Sequence, residues 1–351
     1  MKINIIVPAI GVSGGIDVIY KYVDLLQKNG HDVCVYKSLQ ANNMYRYSSK
    51  FKNTVHQVYC TVKTFFEKEK YKHNVDCFVW KISNNSIRDA DVTIATAWPT
   101  AFEVNKLAEP KGKKFYFIQD YEIWDNAEIG KKSYQLPLNK IVISTWINNC
   151  LQRDLKIGPF PIVYNGLDVD IYHSTMQKRD RNGFLFLMLN HKLSKKGVSN
   201  GLAVFEAVKE KHPDAKLQMF GMCDGENLPE YVEYFQNPSK EKIIELYSQS
   251  DIFIFPSIEE GWGLTPLEAM ACGCVVVGTR TGFVLDLGIH RENMMISEPG
   301  DVNGMVVNIE SVLSNPVLIK KIKEKSIETV KHLDWGKSTD KLVSILCSHI
   351  E

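Results

Sequence analysis

Residues 256–274 read Pro-Ser-Ile-Glu-Glu-Gly-Trp-Gly-Leu-Thr-Pro-Leu-Glu-Ala-Met-Ala-Cys-Gly-Cys. The apolar run just before them, residues 251–255, has the length and flanking residues of a buried strand. A glycine-containing loop follows, and then a helix for which we predict Thr265 as N-cap, Pro266 at the first helical position and Glu268 as capping-box partner. A strand, a glycine loop and a helix N-terminus present backbone N–H groups to a phosphate in α/β proteins.

Two carboxylates flank this loop, Glu260 on its near side and Glu268 at its far end. Carboxylates repel phosphate but accept hydrogen bonds from hydroxyl groups, so the pair indicates a nucleotide that carries a sugar. A capping box alone would account for Glu268. It would not account for Glu260, which precedes two glycines and lies beside Trp262, so a functional role is the better explanation of Glu260.

Size and composition exclude several classes of function. The 351 residues suffice for two domains, and a hydrophobic content of 44% with 24% charged residues is typical of soluble globular proteins. The net charge of +1 gives no general attraction to nucleic acid, so we expect no nucleic-acid partner. No apolar run approaches the roughly 20 residues of a membrane-spanning helix. The eight cysteines show neither CxxC nor zinc spacing, so we expect a cytoplasmic protein without a metal.

Short apolar strands alternate with amphipathic helices in both halves of the chain, which predicts parallel sheets with crossover helices. The predicted strands are 3–7, 32–36, 76–80, 92–96, 115–119, 140–144, 184–189, 216–220, 251–255 and 275–278. The predicted helices are 17–29, 202–211, 240–249 and 267–272. The fold class is therefore α/β, with two Rossmann-like, doubly wound domains, 1–165 and 166–335. Such folds bind ligands at the carboxyl ends of their strands.

The segment 46–72 is basic and aromatic, with seven cationic and two anionic side chains. In one interpretation it is a solvated helix face, as most charge runs are. In the other it makes a peripheral contact with an anionic membrane, which would deliver a lipid-linked acceptor. The sequence alone leaves both open.

Two glycine-containing loops are candidates for phosphate binding. Gly14 and Gly15 follow the first predicted strand and open its helix, where backbone can approach an anion closely. This loop lacks the GxGxxG spacing of nicotinamide-binding sites. After the predicted strand 184–189, residues 190–197 read Asn-His-Lys-Leu-Ser-Lys-Lys-Gly. Cationic side chains at the carboxyl end of a strand suit a diphosphate and can follow the charge that grows on a leaving group.

These motifs resemble those of the retaining, nucleotide-sugar-dependent glycosyltransferases of the GT-B architecture, glycosyltransferase family four. The likeness spans nearly the whole chain and rests on Gly14-Gly15, Asn165-Gly166-Leu167-Asp168, Lys196-Gly197 and, most specifically, Glu260 and Glu268 with seven residues between them. It implies two Rossmann-like domains that face each other across a cleft. The amino-terminal domain would be the acceptor side and the carboxyl-terminal domain would hold the donor. A final helix, about 336–351, would pack back on the first domain.

The resemblance also implies residue roles. Glu268 would bind the ribose hydroxyls, Glu260 the hydroxyls of the transferred sugar, and Lys196 the diphosphate. Backbone N–H groups at the start of the helix would assist Lys196, at Gly263, Leu264 and Thr265. Gly14 and Gly15 would lie near the phosphates from the other domain.

Two positions depart from the family pattern. The family often has Arg five residues before the lysine, whereas this chain has His191 there with Lys192 adjacent. Either could supply the second contact, His191 when protonated or as a neutral donor. Many members carry a His after a strand like 115–119, where this chain has Gln119 and Asp120. Gln119 can only form hydrogen bonds, while Asp120 is a candidate base or sugar ligand.

The implied activity is transfer of a sugar, with retention and without a metal or cofactor, from a nucleotide-diphosphate donor to a glycan or lipid-linked acceptor. Residues 115–122 are similar to those of bacterial surface-polysaccharide transferases, including rhamnosyltransferases, so we expect a capsule, O-antigen or cell-wall glycan as product. Two alternatives stay open: a soluble sugar-metabolism transferase on the same fold, and a catalytically silent nucleotide-sugar-binding subunit. The donor sugar, its base and the acceptor are not specified by the sequence.

Overall fold

The computed structural model describes residues 1–8, 14–42, 46–173 and 182–350, which form two compact units. The first unit takes in Met1–Ile143, Ile147–Asn165 and the chain from Trp335 onward. The second takes in Ser144–Trp146 and Gly166–Asp334. The chain therefore passes into the second unit and returns to the first for its last helix.

The first unit is built on a parallel sheet of six strands in the order β3-β2-β1-β4-β5-β6. Its strands are β1 (Lys2–Val7), β2 (Asp32–Ser38), β3 (Asp76–Val79), β4 (Val92–Ala95), β5 (Lys113–Ile118) and β6 (Asn139–Val142). Its helices are α1 (Gly14–Lys28), α2 (Lys50–Glu67), α3 (Trp98–Asn105), α4 (Ala127–Ser133), α5 (Thr145–Leu155) and the last helix of the chain, α12 (Trp335–Cys347). Helices cover the sheet, so the central strands are almost wholly buried and read as continuous apolar runs.

The second unit repeats this plan with a parallel sheet of six strands in the order β12-β11-β10-β7-β8-β9. Its strands are β7 (Leu185–Leu189), β8 (Lys216–Gly221), β9 (Val232–Gln236), β10 (Ile252–Phe255), β11 (Val275–Thr279) and β12 (Met295–Ser297). Its helices are α6 (Val198–Lys211), α7 (Lys240–Gln249), α8 (Leu264–Ala271), α9 (Val284–Leu287), α10 (Val302–Leu313) and α11 (Pro316–Val330). The predicted fold class of two Rossmann-like α/β domains is confirmed.

The strand order changes direction at one place in each sheet. In the first unit this place is between β1 and β4, and in the second it is between β7 and β10, which pair in parallel. Loops that leave the carboxyl ends of two such strands diverge to opposite faces of the sheet and leave a crevice between them. The crevice of the second sheet therefore lies between the loops that follow β7 and β10.

The core of the second unit packs the sheet against α6 and α10. Phe186 and Ile254 from neighbouring strands are buried with Phe205 of α6 and with Met305 and Ile309 of α10. Each large apolar side chain buried in this way contributes about 1.5–3 kcal/mol. Among the described residues no single helix is long and apolar enough to span a membrane; α10 and α11 reach that length and hydropathy only together, as a pair bent by 105°.

The last helix belongs to the core of the first unit. The Tyr22 ring of α1 makes edge contacts with Trp335 at 5.3 Å and with Phe117 of β5 at 5.4 Å, both measured between ring centroids. The Tyr22 hydroxyl donates to the carbonyl of Tyr164 at 3.2 Å. Leu342 of α12 is buried beside α1. The first unit is thus closed by residues from the far end of the chain.

Candidate functional site

The loops that follow β7 and β10 are hydrogen-bonded to each other. The carbonyl of Lys195, in the first loop, accepts from the backbone N–H of Ile258 at 2.7 Å and of Glu259 at 3.2 Å, both in the second loop. These hydrogen bonds fix the position of one loop relative to the other beside the crevice. Side chains of the loop after β7 are thereby placed against side chains of the loop after β10.

A glycine at the end of the first loop makes this close approach feasible. Gly197 has a φ of +66°, a left-handed conformation that favours glycine. A Cβ at this position would collide with the carbonyl oxygen of Pro256 in the other loop. Gly197 therefore sets how near the two loops can come, and it directly follows Lys196.

Lys196 and Glu260 meet where the loops converge. Lys196 Nζ lies 2.6 Å from Glu260 Oε2, and the two side chains are only 20% and 14% exposed. Ser257 Oγ donates to the same carboxylate oxygen at 3.4 Å. These three side chains line a small pocket together with Thr265. Three of the predicted site residues, Lys196, Glu260 and Thr265, thus share one pocket in the second unit.

The start of α8 differs from the prediction. The helix begins at Leu264 with Gly263 at the cap position, in a left-handed conformation with a φ of 96°, and no side chain caps it. The prediction of Thr265 as N-cap and Glu268 as its capping-box partner is wrong, because the helix starts one residue before Thr265. The first N–H groups of a helix have no partner within it, so the amides at Gly263, Leu264 and Thr265 lie at the positive end of the α8 dipole.

Two tyrosines hold the Glu268 carboxylate. The hydroxyl of Tyr247, on α7, donates to Glu268 Oε2 at 2.9 Å, and Tyr172 forms a second side-chain hydrogen bond. Burial raises the pKa of Glu268, while both tyrosine hydroxyls favour its charged form and oppose that rise. Sequence reasoning missed Tyr172 and Tyr247, because no sequence motif links either tyrosine to Glu268. A carboxylate has about four acceptor positions, so these bonds leave room for ligand hydroxyls.

His191 and Lys192 occupy different surroundings in the first loop. Burial, together with Lys196 and Lys195, lowers the pKa of the His191 imidazole. Its Nδ1 accepts from the backbone N–H of Leu193 at 3.0 Å, which places the proton of the neutral ring on Nε2. Lys192 is exposed and pairs with Asp224 at 2.6 Å. Of the two side chains, His191 is the one whose pKa the charge of Lys196 lowers, which favours the neutral ring with its Nε2–H as donor.

The remaining predicted residues lie in the first unit. Gly14 and Gly15 begin α1, and a Cβ added to Gly15 would lie 3.7 Å from Gln119 Nε2. Gln119 Oε1 is buried and has no hydrogen-bond partner among the described residues. Gly14 and Gly15 come after β1, which borders the place where the strand order changes direction. Gln119 comes after β5, one strand further along the sheet. Residues 11–13, which complete the predicted glycine loop, lie outside the described residues.

Two carboxylates follow Gln119 in the first unit. Asp120 Oδ1 accepts from the backbone N–H of Tyr121 at 2.9 Å. Glu122 Oε2 accepts from the backbone N–H of Trp98 at 2.9 Å, at the start of α3. Sequence reasoning missed this capping role of Glu122, which joins residues 24 positions apart. Within the described ranges, no three His, Cys, Asp or Glu side chains are grouped so that they could hold a metal ion.

Comparison with known proteins finds relatives for the second unit and for about half of the chain. Residues 174–329 match the family model of glycosyl transferases group 1. An uncharacterized glycosyltransferase of Methanocaldococcus jannaschii is 25% identical over 204 residues, which cover 56% of each chain. The capsular polysaccharide biosynthesis glycosyltransferase CapM of Staphylococcus aureus is 24% identical over 187 residues, 51% of this chain and 48% of CapM. The chain thus spans about half the length of these two relatives.

Solved structures match over the whole length. Sucrose-phosphate synthase of Thermosynechococcus elongatus superposes with a TM-score of 0.74 at 16% identity, covering 99% of this chain and 98% of the synthase. Anabaena HepE, solved in complex with UDP-glucose, superposes with a TM-score of 0.71 at 14% identity, covering 99% of this chain and 100% of HepE. Residues 174–329 are therefore similar to the glycosyl transferases group 1 domain, and the whole chain shares the two-domain GT-B fold of these solved structures.

Proposed function

We propose that this chain is a glycosyltransferase that moves a sugar from a nucleotide-diphosphate donor. The observation that carries the proposal is the Lys196–Glu260 pair, which joins the loops after β7 and β10 at the change of strand direction. The pair lies in one pocket with Thr265, at the uncapped start of α8. A cation, free helix amides and a carboxylate suit the diphosphate and the sugar hydroxyls of one ligand.

The chemistry follows from the charges that develop when the donor breaks. Cleavage of the bond between the anomeric carbon and the diphosphate leaves positive charge on the carbon and negative charge on the phosphate. Lys196 and the α8 amides stabilise the phosphate side, and the neutral Nε2–H of His191 adds a hydrogen bond without adding charge. Glu260 then accepts hydrogen bonds from the transferred sugar, as Glu268 does from the ribose.

The ion pair also explains how a carboxylate can stand beside a diphosphate. Lys196 Nζ lies 2.6 Å from Glu260 Oε2 and compensates the charge of that carboxylate. When the donor arrives, the ammonium group can contact both anions at once, so Glu260 does not repel the phosphate. A lysine is suited to this role because its ammonium is a compact charge with three donors.

We propose further that transfer proceeds with retention and without a metal. No carboxylate of the pocket is assigned as a covalent nucleophile, so the leaving phosphate assists attack on the same face. Lys196 and the helix amides supply the charge compensation for which other transferases recruit a cation. Asp120, in the first unit, is the candidate base or sugar ligand on the acceptor side.

The acceptor class rests on a single relative. CapM takes its name from capsular polysaccharide biosynthesis, and we propose by analogy that this chain builds a bacterial surface polysaccharide on a glycan or lipid-linked acceptor. The donor sugar and base are left to experiment. Thermal-shift measurements with UDP-, GDP- and dTDP-sugars would identify the donor, because a ligand that binds only the folded protein stabilises it.

Transfer assays with the donor so identified test the rest. Lys196→Met and Glu260→Gln should each abolish turnover, whereas Lys325→Met, which removes the lysine of an exposed Lys–Glu pair in the same unit, should not. Turnover that persists in EDTA and a product with the donor's anomeric configuration support the metal-free retaining mechanism; loss or inversion contradicts it. Donor binding without transfer to any acceptor would instead favour a silent binding subunit, and the absence of donor binding would overturn the proposal.

A further inference from the structure

Helix α2 is amphipathic, but its apolar face is exposed and its polar face packs on the protein. Seven large apolar side chains of this helix are exposed, by 49% at Phe65 to 79% at Phe66. They are Phe51, Val55, Val58, Tyr59, Val62, Phe65 and Phe66. At about 100° per residue they fall within an arc of about 120° and form one continuous stripe along the helix. We refer to this stripe as the α2 apolar face.

The opposite face of α2 is polar and packs on the protein. Asn53 is the one fully buried residue of the helix, and its side chain donates to the carbonyl of Tyr47 at 2.7 Å. Gln57 Nε2 donates to the carbonyl of Ala41 at 2.8 Å, and Thr61 Oγ1 accepts from the N–H of Ala41 at 3.0 Å. Hydrogen bonds thus dock the polar face of the helix and leave the apolar face toward solvent. Surface helices of globular proteins normally do the opposite.

Basic side chains outnumber acidic ones around this face, although α2 ends in Glu67 and Arg46 pairs with Asp125 at 3.4 Å. Residues 46–66 contain no Asp or Glu, while Arg46, Lys50, Lys52 and Lys63 lie among them. Lys52 and Lys63 fall beside the stripe on the helical wheel, next to Tyr59. Lys68 continues the basic run and lies 4.5 Å from the centre of the Phe65 ring. This local basic excess stands out in a chain whose net charge is +1.

We propose that the α2 apolar face docks on the surface of an anionic lipid bilayer. An interfacial helix requires a continuous apolar face and basic residues along its flanks, and α2 has both. Protein–protein interfaces are instead depleted in lysine, which makes a second protein a poorer match to the same surface. Anionic lipid headgroups complement the lysines, and the acyl boundary accepts the phenylalanines and valines.

The geometry also sets how the helix would lie. Phe51 and Phe66 are the most exposed members of the face, and they are 15 residues apart. At 1.5 Å per residue their Cα atoms are separated by about 22 Å. Anchors at both ends keep the helix axis parallel to the bilayer plane, so that the stripe enters along its whole length. This inference goes beyond the proposed transfer reaction and does not depend on it.

Vesicle flotation of the full chain tests the proposal directly. We expect the protein to float with phosphatidylcholine vesicles that contain phosphatidylglycerol, more weakly at high salt, and not with phosphatidylcholine alone. Phe51→Ser/Phe66→Ser should lower the bound fraction about tenfold or more, because both anchors are lost. Lys52→Gln/Lys63→Gln should weaken binding to the anionic vesicles and make it less sensitive to salt. Val317→Ser, which removes an equally exposed apolar side chain of α11, is the matched control and should bind like the parent.

Several outcomes would overturn it. The first is that the parent fails to float with anionic vesicles at low salt. The second is that Phe51→Ser/Phe66→Ser binds these vesicles as well as the parent does. The third is that the parent binds no vesicles and light scattering shows a stable dimer that the same substitutions convert to monomer, which would assign the face to a second copy. Urea unfolding of each variant shows that it remains folded. Donor binding by thermal shift, measured without vesicles, keeps failure of this inference distinct from failure of the proposed transferase.

Discussion

Lys196 Nζ and Glu260 Oε2 lie 2.6 Å apart although the two residues are separated by 64 positions in the chain. The contact joins loops from adjacent parallel strands, β7 and β10, and it is mostly shielded from water. In such surroundings a charge that loses its partner is costly, whereas an apolar or neutral pair of similar volume is tolerated. The energetics of this pair can therefore be separated from its role in donor binding.

We predict strong coupling between substitutions of the two residues. Lys196→Met should destabilise the fold by about 1–3 kcal/mol, because it leaves Glu260 as a largely buried carboxylate without its cation. The double variant Lys196→Met/Glu260→Gln should be destabilised less than the sum of the two single changes, and it should still lack turnover. A double-mutant cycle by urea unfolding measures the coupling. Additive effects would show that the pair is not an energetic unit.

Gly197 offers a second test of the loop arrangement. Gly197→Ala should destabilise the second unit by about 2 kcal/mol or more, since it combines an unfavourable positive φ with a collision against the Pro256 carbonyl. Gly273→Ala is the matched control, with a φ of +81° but nothing within 4 Å of the added Cβ. It should cost only about 1 kcal/mol. Equal costs, measured by urea unfolding, would argue against the close approach of the loops.

The Tyr247–Glu268 hydrogen bond predicts a pH-dependent effect on stability. Burial raises the pKa of Glu268, so the folded protein binds a proton more tightly than the unfolded chain does, and this group's contribution to stability falls as the pH rises above about 4.3. The Tyr247 hydroxyl limits that loss because it favours the carboxylate. Tyr247→Phe should therefore raise the pKa of Glu268 further, and its destabilisation should grow by about 1 kcal/mol between pH 4 and pH 8.

Another tyrosine provides the control for this effect. The hydroxyl of Tyr231 donates to Glu206 at 2.8 Å, but Glu206 is exposed. Water can replace that hydroxyl, so Tyr231→Phe should cost the same at both pH values, within a few tenths of a kcal/mol. Urea midpoints at pH 4 and pH 8 give the comparison. A pH-independent cost for Tyr247→Phe would show that Glu268 does not titrate in the expected range.

A substitution at Gly15 can test the approach of a ligand without changing the stability of the fold. An alanine Cβ there would lie at ordinary contact distance from Gln119, 3.7 Å from its Nε2, so Gly15→Ala should leave the melting temperature unchanged or slightly raised. If a donor phosphate approaches this backbone, as the family resemblance implies, the added methyl group should lower donor affinity about tenfold or more. Melting curves and donor titrations are the measurements. Unchanged affinity in a fully folded variant would remove Gly15 from the site.

The parallel sheets could be predicted from the sequence because buried strands are continuous apolar runs with turn residues at both ends. The two strands that escaped prediction, Val232–Gln236 and Met295–Ser297, are the edges of the second sheet. The first has no fully buried residue, and the second is three residues long. Neither leaves a periodic signal that a short sequence window can detect.

Site residues could be predicted where they belong to a local sequence motif. They could not be predicted where contacts between distant parts of the chain determine their position. Thr265 and Pro266 predicted a later helix start, but α8 begins at Leu264 because Gly263, in a left-handed conformation, occupies the cap position. Tyr247 reaches Glu268 from another helix, at a spacing that no motif encodes. For α2, the sequence shows a basic and aromatic segment, but only packing shows that its apolar side chains point away from the protein.

The contact of α12 with α1 has a consequence for synthesis on the ribosome. Trp335 and Leu342 complete the core around Tyr22, so part of the apolar side of α1 stays uncovered until more than three hundred further residues have been made. The second unit is contained within that interval and can fold first, since domains form as soon as their chain is available. The amino-terminal half of this protein is therefore translated early and completed only after the second unit has been made.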